Sequence, residues 1–248
     1  MLSFEHISFD YEPYPIGIAR PALDSVAYAD MVANFPDFTA MDERARLGLK
    51  FDLSERRNRR LYDDFVNTHP VWRELRTYVQ KGPFIDDTLA TLQSHRLDLG
   101  IRNASFLDRI QLGLKNLIKR RPLPAIPTLT ARFDFSAMPV TGGHIRPHTD
   151  TPEKIVTMVV PILEDGEWDP SYGGGTSVVL PKDRTALFNQ VNSYLDFDEV
   201  EELRTYAFEP NQALVFIKTF NSWHAVWPMT GNDPNKLRRS LTINIEAI

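Results

Sequence analysis

The sequence contains six histidines, and one of them is followed two positions later by a carboxylate. This histidine is His148, which precedes Asp150 in the segment HIRPHTDTP. On an extended chain, residues i and i+2 point to the same side, so the imidazole and the carboxylate can bind one ion together. Because a His-x-Asp pair is common by chance, it indicates a metal site only together with a third ligand.

The predicted third ligand is His224, in the segment FNSWHAVWP. It comes shortly after the apolar stretch ALVFI, and we therefore expect it near the end of a strand, where a side chain can turn inward. Two imidazoles and one carboxylate on one side of an octahedral ion leave three positions open, as in non-haem Fe(II) oxygenases. His148, Asp150 and His224 are thus the predicted metal ligands and catalytic residues.

Each of these ligands also has a purely structural explanation. His148 and Asp150 could form a hydrogen-bonded pair at the surface. His224 lies between Trp223 and Trp227 and could be an ordinary core histidine. The order of the surrounding segments favours the metal site for His148 and Asp150, and the metal site is also the preferred interpretation of His224.

A second candidate site is the polar face of the segment LRRSLTINI. In a strand, Arg238, Ser240 and Thr242 share one face, while Arg239 and Leu241 share the other. The guanidinium fork and hydroxyl of Arg238 and Ser240 suit bidentate capture of a carboxylate, such as one end of 2-oxoglutarate, whose other end could bind the iron. A register shifted by one residue would give this place to Arg239, and strand parity alone leaves that alternative open.

Other polar or glycine-rich positions have weaker signals. His144 shares the strand parity of His148 but lies roughly 13 Å upstream if the chain is extended, so we expect it to be structural or to face the substrate. Arg132 and Asp134 could line a pocket or form a salt bridge. Residues 173–175 are glycines without the helix and Lys-Ser/Thr of a phosphate-binding loop, which predicts a tight turn before a strand.

The elements that must position these residues begin with a helix-rich N-terminal half. Pro21 can begin a first helix, and Pro70 begins another whose apolar residues lie on one face. Further helices are predicted from about Asp86 and over residues 105–121. Residues 37–60 are charged and poorly periodic, and we expect a loop there with at most a short helix.

The C-terminal half has the pattern of short strands. Five β-branched-rich or alternating segments occur there: TLTARFDF, EKIVTMVVPIL, GTSVVLP, QALVFIKTF and RRSLTINIEAI. Helices followed by strands indicate an α+β protein. The strand lengths suit a double-stranded β-helix, a jelly roll like that of the cupins, buttressed by N-terminal helices. We expect one domain over residues 1–248, with 1–125 as helix-rich support and 126–248 as the jelly-roll core with the metal site.

The composition excludes several classes of protein. The sequence has 42% hydrophobic and 25% charged residues, as ordinary globular proteins do. It has no apolar run of the roughly 18 residues that would predict a membrane span, and no signal sequence. The absence of cysteine excludes disulfides and thiolate chemistry, and we expect a cytoplasmic protein. The net charge of −5 argues against nucleic acid as the main partner.

Two local clusters of basic residues occur in spite of the negative net charge. The first comprises Arg56, Arg57, Arg59 and Arg60, and the second Lys115, Lys119, Arg120 and Arg121. We expect both to be solvated helix faces rather than binding sites, although they mildly favour an anionic substrate.

Taken in order, these motifs resemble the 2-oxoglutarate/Fe(II) dioxygenase superfamily, and most of all its prolyl-4-hydroxylase-like branch. The matching segments are YPIGIARPAL, NFP, GGHIRPHTDTPEKIVTMVVPI, GGGTSVVLP, FEPNQALVFIKTFNSWHAVWPMTG and RRSLTINI. The metal motif of the superfamily corresponds to His148, Asp150 and His224, and its 2-oxoglutarate arginine to Arg238. The resemblance covers residues 128–248 and is thin before them.

The resemblance implies a hydroxylase that uses Fe(II), 2-oxoglutarate and O2 to oxidise an unactivated C–H bond. Asp150 disfavours chlorination, because the halogenases of the superfamily lack this carboxylate. The substrate is a small metabolite, a sugar-containing intermediate or a prolyl residue, with a small molecule favoured over a protein. Two other classes stay open: a zinc-dependent hydrolase that uses the same ligands with an activated water, and a non-catalytic jelly-roll binding protein.

Overall fold

The structure, a computed structural model, describes residues 2–38, 46–47, 50–101 and 127–247. The helices of this part of the chain are α1 (Ser25–Ala33), α2 (Arg59–Thr68), α3 (Pro70–Lys81) and α4 (Phe84–Ser94). None of them combines the length and the hydrophobicity that crossing a bilayer requires.

The strands of the described residues form two antiparallel sheets. They are β1 (Ser8–Asp10), β2 (Ile16–Ala19), β3 (Arg46–Leu47), β4 (Lys50–Ser54), β5 (Leu129–Pro139), β6 (Ile145–His148), β7 (Lys154–Pro161), β8 (Thr176–Pro181), β9 (Val200–Tyr206), β10 (Ala213–Ile217), β11 (His224–Val226) and β12 (Leu237–Ala247). The larger sheet has the order β1-β2-β10-β7-β12-β5-β4-β3, and the smaller sheet β6-β11-β8-β9. This mixture of helices and antiparallel sheet confirms the α+β class.

The main hydrophobic core lies between the larger sheet and the helices. Phe133 and Phe135 of β5 are completely buried there, together with Tyr62 of α2 and Trp72 of α3. The rings of Trp72 and Phe135 meet edge to face with centroids 4.7 Å apart, a favourable arrangement for aromatic pairs. Since alternate residues of a strand point to opposite faces, the residues between these aromatic side chains point away from the helices.

Most predicted elements lie where the sequence analysis places them. The five predicted strand segments overlap β5, β7, β8, β10 and β12, although β5 continues beyond its segment to Pro139, and α3 begins at Pro70. The helix expected from about Asp86 begins slightly earlier, at Phe84. The helix predicted over residues 105–121 lies outside the described residues.

The first helix begins later than Pro21 suggests. The side-chain oxygen of Asn211 accepts the backbone N–H groups of Ala22 and Leu23, which keeps these residues out of the helix. Asp24 then caps α1 by accepting N–H groups from its first turn. A contact distant in sequence therefore determines where this helix starts.

The prediction of a loop with at most a short helix over residues 37–60 is wrong for residues 50–54. Residues 50–54 form β4, which pairs with β5 from Phe51 opposite Ala137 to Ser54 opposite Asp134, and α2 begins at Arg59. A strand of this length forms because pairing with its neighbour stabilises it, and its own sequence pattern is too short to predict it. The charged residues around it also obscure its alternation of apolar and polar side chains.

The expectation for the basic clusters is wrong in part. Arg59 and Arg60 are exposed on α2, as predicted. Arg56 and Arg57 instead lie in the turn between β4 and α2 and line the main cavity described below. The second basic cluster lies outside the described residues.

Candidate active site

A cavity of about 700 Å³ lies between the two sheets. Its walls come from β4, β5, β7, β10 and β12 of the larger sheet and from β6, β8 and β11 of the smaller sheet. The predicted site residues all line it: His148, Asp150, His224, Arg238 and Ser240. Small-molecule sites commonly have roughly 300–1,000 Å³, so the cavity has the size of a ligand site.

Strand pairing brings the two predicted histidine ligands together. His148 ends β6 and lies directly opposite His224, which begins β11. Asp150 follows β6 with φ of 68°, in the left-handed region that aspartate tolerates better than most residues. Its carboxylate oxygens lie 3.6 Å from Nε2 of His148 and 3.9 Å from Nε2 of His224. One ligand atom of each residue lies within 4.8 Å of the others, close enough to share one ion.

The geometry of Asp150 differs from the extended segment that the sequence analysis assumed. The strand ends at His148, and the left-handed turn directs the carboxylate toward the two imidazoles. The three side chains are brought together, but the i, i+2 alternation of a strand is not the reason.

Backbone carbonyls orient both imidazoles. Nδ1 of His148 donates to the carbonyl of Arg146 and Nδ1 of His224 to the carbonyl of Ser222, each over 2.9 Å. Because a carbonyl only accepts, Nδ1 of each ring carries a proton, and Nε2 is the nitrogen that lies on the side of Asp150. Such orienting contacts are typical of histidines that bind metals.

Two aromatic rings hold the imidazoles from the side. Phe216 of β10 stacks on His224 with centroids 4.7 Å apart, and Tyr194 stacks on His148 at 5.2 Å. The sequence analysis missed both. Phe216 belongs to a wholly apolar stretch, in which no pattern distinguishes the residue that faces the cavity.

The local electrostatics favours metal-binding protonation states. Burial and the neighbouring His148 lower the pKa of His224 to about 4, so its imidazole is neutral at pH 7. Burial alone would raise the pKa of Asp150, but the ammonium of Lys154 holds it well below its usual value. A neutral imidazole and an ionised carboxylate are the forms that bind a metal.

The Asp150 carboxylate has two further partners that the sequence analysis missed. Nζ of Lys154 lies 2.7 Å from one of its oxygens, and the hydroxyl of Thr157 lies 3.1 Å from the other. Thr157 also lies 3.0 Å from the amide oxygen of Asn244 on β12. These contacts connect Asp150 to the floor of the cavity.

Arg238 points into the cavity, on the face of β12 that strand parity predicts. It is 2% exposed, its Nε donates to the carbonyl of Gly174 over 2.6 Å, and its guanidinium lies 4.2 Å from the ring centroid of Phe208. Burial lowers the pKa of Arg238 to about 9, which leaves it charged at pH 7, and no carboxylate among the described residues opposes this effect. A buried cation without a counter-charge is costly unless an anion binds there.

The two neighbours of Arg238 on β12 differ from each other. The hydroxyl of Ser240 faces the cavity, 3.0 Å from that of Ser136 on β5. Arg239 points to the opposite face, where it forms an ion pair of 2.6 Å with Glu167 and lies 5.8 Å from the ring centroid of Phe35. Arg239 therefore does not line this cavity.

The glycines at 173–175, where the sequence predicts a tight turn, connect a short 3-10 helix (Pro170–Tyr172) to β8. Gly173 and Gly174 have φ of 76° and 79°, which glycine adopts without strain. A Cβ on Gly174 would lie 2.8 Å from the ring of Trp168 and 3.4 Å from Cδ of Arg238. The turn thus allows the backbone to approach Arg238 closely.

The remaining candidates line the cavity outside the three-ligand cluster. His144 bonds through Nδ1 to the carbonyl of Gly142 at 2.9 Å. Arg132 and Asp134 form an ion pair with each other, and Arg132 also pairs with Glu246 at 3.0 Å. The two roles left open for Arg132 and Asp134, pocket lining and salt bridge, are both found.

No protein-family model matches the sequence, and no curated protein matches it. Among solved structures, the chain is similar to a prolyl-4-hydroxylase of Pseudomonas putida, with 15% identity, a TM-score of 0.43, and coverage of 93% of this chain and 91% of that one. It is also similar to an oxidoreductase of the 2OG-Fe(II) oxygenase family from Burkholderia pseudomallei, with 16% identity, a TM-score of 0.31, and coverage of 54% and 56%.

A third similar structure is the Fe(II)/α-ketoglutarate-dependent dioxygenase TqaL, with 13% identity, a TM-score of 0.31, and coverage of 56% and 52%. The chain spans about half the length of the last two proteins. All three belong to the class of enzymes that the sequence resembles. Since every TM-score is below 0.5, the functional argument rests on the cavity itself.

Proposed function

We propose that this chain is an Fe(II)- and 2-oxoglutarate-dependent dioxygenase that hydroxylates an unactivated C–H bond. The observation that carries the proposal is one cavity that contains both the three-ligand cluster and a buried arginine without a carboxylate partner among the described residues. The three-ligand cluster alone, or the buried arginine alone, would also be compatible with other functions. Together they fit a metal ion with open positions and a dicarboxylate that reaches it.

The donor set suits iron(II). His148, Asp150 and His224 offer two imidazole nitrogens and a carboxylate oxygen, all three residues are buried, and all three line the cavity. Bound iron would supply the activation of O2 and the oxidation of the C–H bond. The protein holds the ligands in their binding protonation states and orientations, and the burial of the three ligands limits their contact with water.

Arg238 and Ser240 suit the carboxylate of 2-oxoglutarate that does not reach the metal. The guanidinium fork can donate two parallel hydrogen bonds to a carboxylate, and the Ser240 hydroxyl offers a further donor. The ring of Phe208 and the carbonyl of Gly174 hold the guanidinium in place before any ligand binds. This preorganisation lowers the entropic cost of binding.

We also propose that the two sheets form a double-stranded β-helix and that residues 1–248 are one domain, with 1–125 as support and 126–248 as the core. Strands β2 and β4 from the first part belong to the same sheet as β5 and β12, and side chains of the helices share one core with them. This continuity supports a single folding unit.

The cavity volume supports a small-molecule substrate, which could be a metabolite or a sugar-containing intermediate, over a prolyl residue in a protein. A zinc-dependent hydrolase would use the same three ligands but would leave the buried Arg238 without a role. A non-catalytic binding protein would use both sites but would not convert 2-oxoglutarate.

Formation of succinate from 2-oxoglutarate tests the proposal. We expect the purified protein to form succinate slowly without added substrate, and only when both Fe(II) and O2 are present. Assays with Zn(II) in place of Fe(II), and under nitrogen in place of air, are the controls. Hydrolytic turnover that zinc supports without O2 would contradict the oxygenase, and binding of 2-oxoglutarate without turnover would indicate a binding protein.

A further inference from the structure

The cavity extends beyond the metal cluster and Arg238 toward one end of the larger sheet, where β4 is the second strand from the edge. Strand β4 lies two strands from β12, which corresponds to about 10 Å. Lys50 and Asp52 of β4, with Arg56 and Arg57 of the following turn, line this part of the cavity. We call these four residues the β4 edge. Binding of iron and 2-oxoglutarate as proposed above uses none of them.

Cations outnumber carboxylates on the cavity wall. The cationic side chains that line it are Lys50, Arg56, Arg57, Arg132, Arg146, Lys154 and Arg238, and the acidic ones are Asp52, Asp134 and Asp150. Outside the wall, Glu246 pairs with Arg56 and Arg132, and Asp196 pairs with Arg146. Even with these two carboxylates included, the cationic side chains outnumber the acidic ones. Because Fe(II) and the 2-oxoglutarate dianion have opposite and equal charges, a cationic excess remains when both are bound.

Much of this excess lies at the β4 edge, where Lys50 and Arg57 share one carboxylate. Asp52 lies 3.6 Å from Nζ of Lys50 and 3.4 Å from Nη1 of Arg57. Both distances exceed the roughly 2.7–2.9 Å of a charge-assisted hydrogen bond. Neither cation has another ion-pair partner within the described ranges. Their side chains are 35% and 59% exposed, whereas that of Asp52 is 9% exposed, so the cations are more accessible to a ligand than the acid.

We propose that the β4 edge binds an anionic group of the primary substrate, a carboxylate or a phosphate, to which Lys50 and Arg57 donate hydrogen bonds. This inference rests on the proposed function, because it assigns the substrate class of the same cavity. The anionic end of the substrate lies over β4, and the C–H bond to be oxidised extends toward His148, Asp150 and His224. The guanidinium fork of Arg57 matches two oxygens of either anion, and the ammonium of Lys50 adds a point charge.

Calorimetric titration of inorganic phosphate and of acetate into the full chain, loaded with Fe(II) and saturating 2-oxoglutarate without O2, tests this site. Saturating 2-oxoglutarate occupies Arg238, so the probes report on the remaining cations. We expect Arg57→Gln and Lys50→Gln each to weaken binding of the probe at least tenfold. Binding of phosphate alone identifies a phosphorylated substrate, and binding of acetate alone a carboxylic acid. Binding of both supports the shared anion site.

Arg59→Gln is the matched control. Arg59 belongs to the same basic cluster but lies on α2, is 75% exposed and pairs with Asp63, away from the cavity lining. We expect this change to alter probe affinity less than twofold. Thermal unfolding of each variant checks its fold, and the exposed Arg57 provides a test if the strand residue Lys50 does not tolerate substitution.

Two outcomes overturn the inference. One is that neither anion binds to the wild type, and the other is that both cavity variants bind them as the wild type does. Titration of methylammonium in the same assay detects the opposite case, a site that selects cations through Asp52. A wild type that binds Fe(II) and 2-oxoglutarate but neither anion refutes only this inference. A wild type that does not bind 2-oxoglutarate refutes the proposed function.

Discussion

The two faces of the larger sheet are built by the same strands but have opposite chemistry. On β5, Phe133 and Phe135 are buried in the core that the sheet shares with the helices, whereas Arg132, Asp134 and Ser136 line the cavity. Strand β12 repeats this division between its apolar and polar residues. We therefore expect substitutions on the helix side to change the free energy of unfolding, and those on the cavity side to change ligand binding.

Arg238 and Arg239 show the same difference between adjacent residues of one type. Arg238 is buried on the cavity face without a carboxylate partner among the described residues, and Arg239 pairs with Glu167 on the other face. The face of the strand, and not the residue type, determines which of them is available to a ligand.

The largest effect is expected at the metal cluster. His148→Ala, Asp150→Ala and His224→Ala should each abolish tight Fe(II) binding, because two ligands on one side of the ion do not hold it against water. Iron content after gel filtration measures this loss. His144→Ala, on the same cavity wall but outside the cluster, should keep most of the metal affinity. If His144→Ala contained no iron while His224→Ala retained it, the ligand assignment would be wrong.

On the helix side, Phe135→Ala should lower the free energy of unfolding by about 3–5 kcal/mol, because it leaves a cavity among aromatic rings. Urea denaturation followed by circular dichroism measures the change. The folded fraction should still bind Fe(II), since the side chain lies outside the cavity lining. Loss of iron binding at unchanged stability would contradict the separation of the two faces.

On the cavity side, Arg238→Ala should weaken 2-oxoglutarate binding at least a hundredfold. Removal of one partner of a buried charge pair costs about 3–5 kcal/mol. Arg238→Lys should restore little affinity, since a point charge does not reproduce the planar fork. Anaerobic titration of 2-oxoglutarate into the Fe(II) protein, followed by the metal-to-ligand charge-transfer band, measures both variants.

The smallest effect is expected for Arg239→Ala, which should change 2-oxoglutarate affinity by less than about threefold, because its ion pair with Glu167 lies on the face of β12 opposite the cavity. The same titration measures it, with Arg238→Ala as the reference. If Arg239→Ala proves damaging and Arg238→Ala mild, the arginine that binds 2-oxoglutarate is misassigned.

Strands β5, β7, β8, β10 and β12 and the polar face of β12 could be predicted from the sequence because their patterns are local, whereas β6, β9 and β11 were not predicted. The alternation along β12 places Arg238 and Ser240 on one side whatever strand pairs with it. The helix from Pro70 could be predicted for the same reason, since proline at the first position and one apolar face suffice.

Strand β4 could not be predicted, and with it the charged edge of the cavity was missed. Its five residues become a strand by pairing with β5. Arg56 and Arg57 look like part of a solvated helix in the sequence, but the end of β4 places them at the cavity. The contacts of Phe216 and Tyr194 with the histidines were also missed, because stacking depends on segments that are distant in the chain.

By itself, the sequence determined which side chains can share a face, such as Arg238 with Ser240, because the pleat is a property of a single strand. Only the tertiary structure decided that His224 lies opposite His148 and that Asp150 turns back toward both. It also decided that Glu167 neutralises Arg239 while Arg238 has no such partner in the described part of the chain. The physical reason is that pairing, burial and counter-charge depend on residues far apart in sequence, which no local pattern encodes.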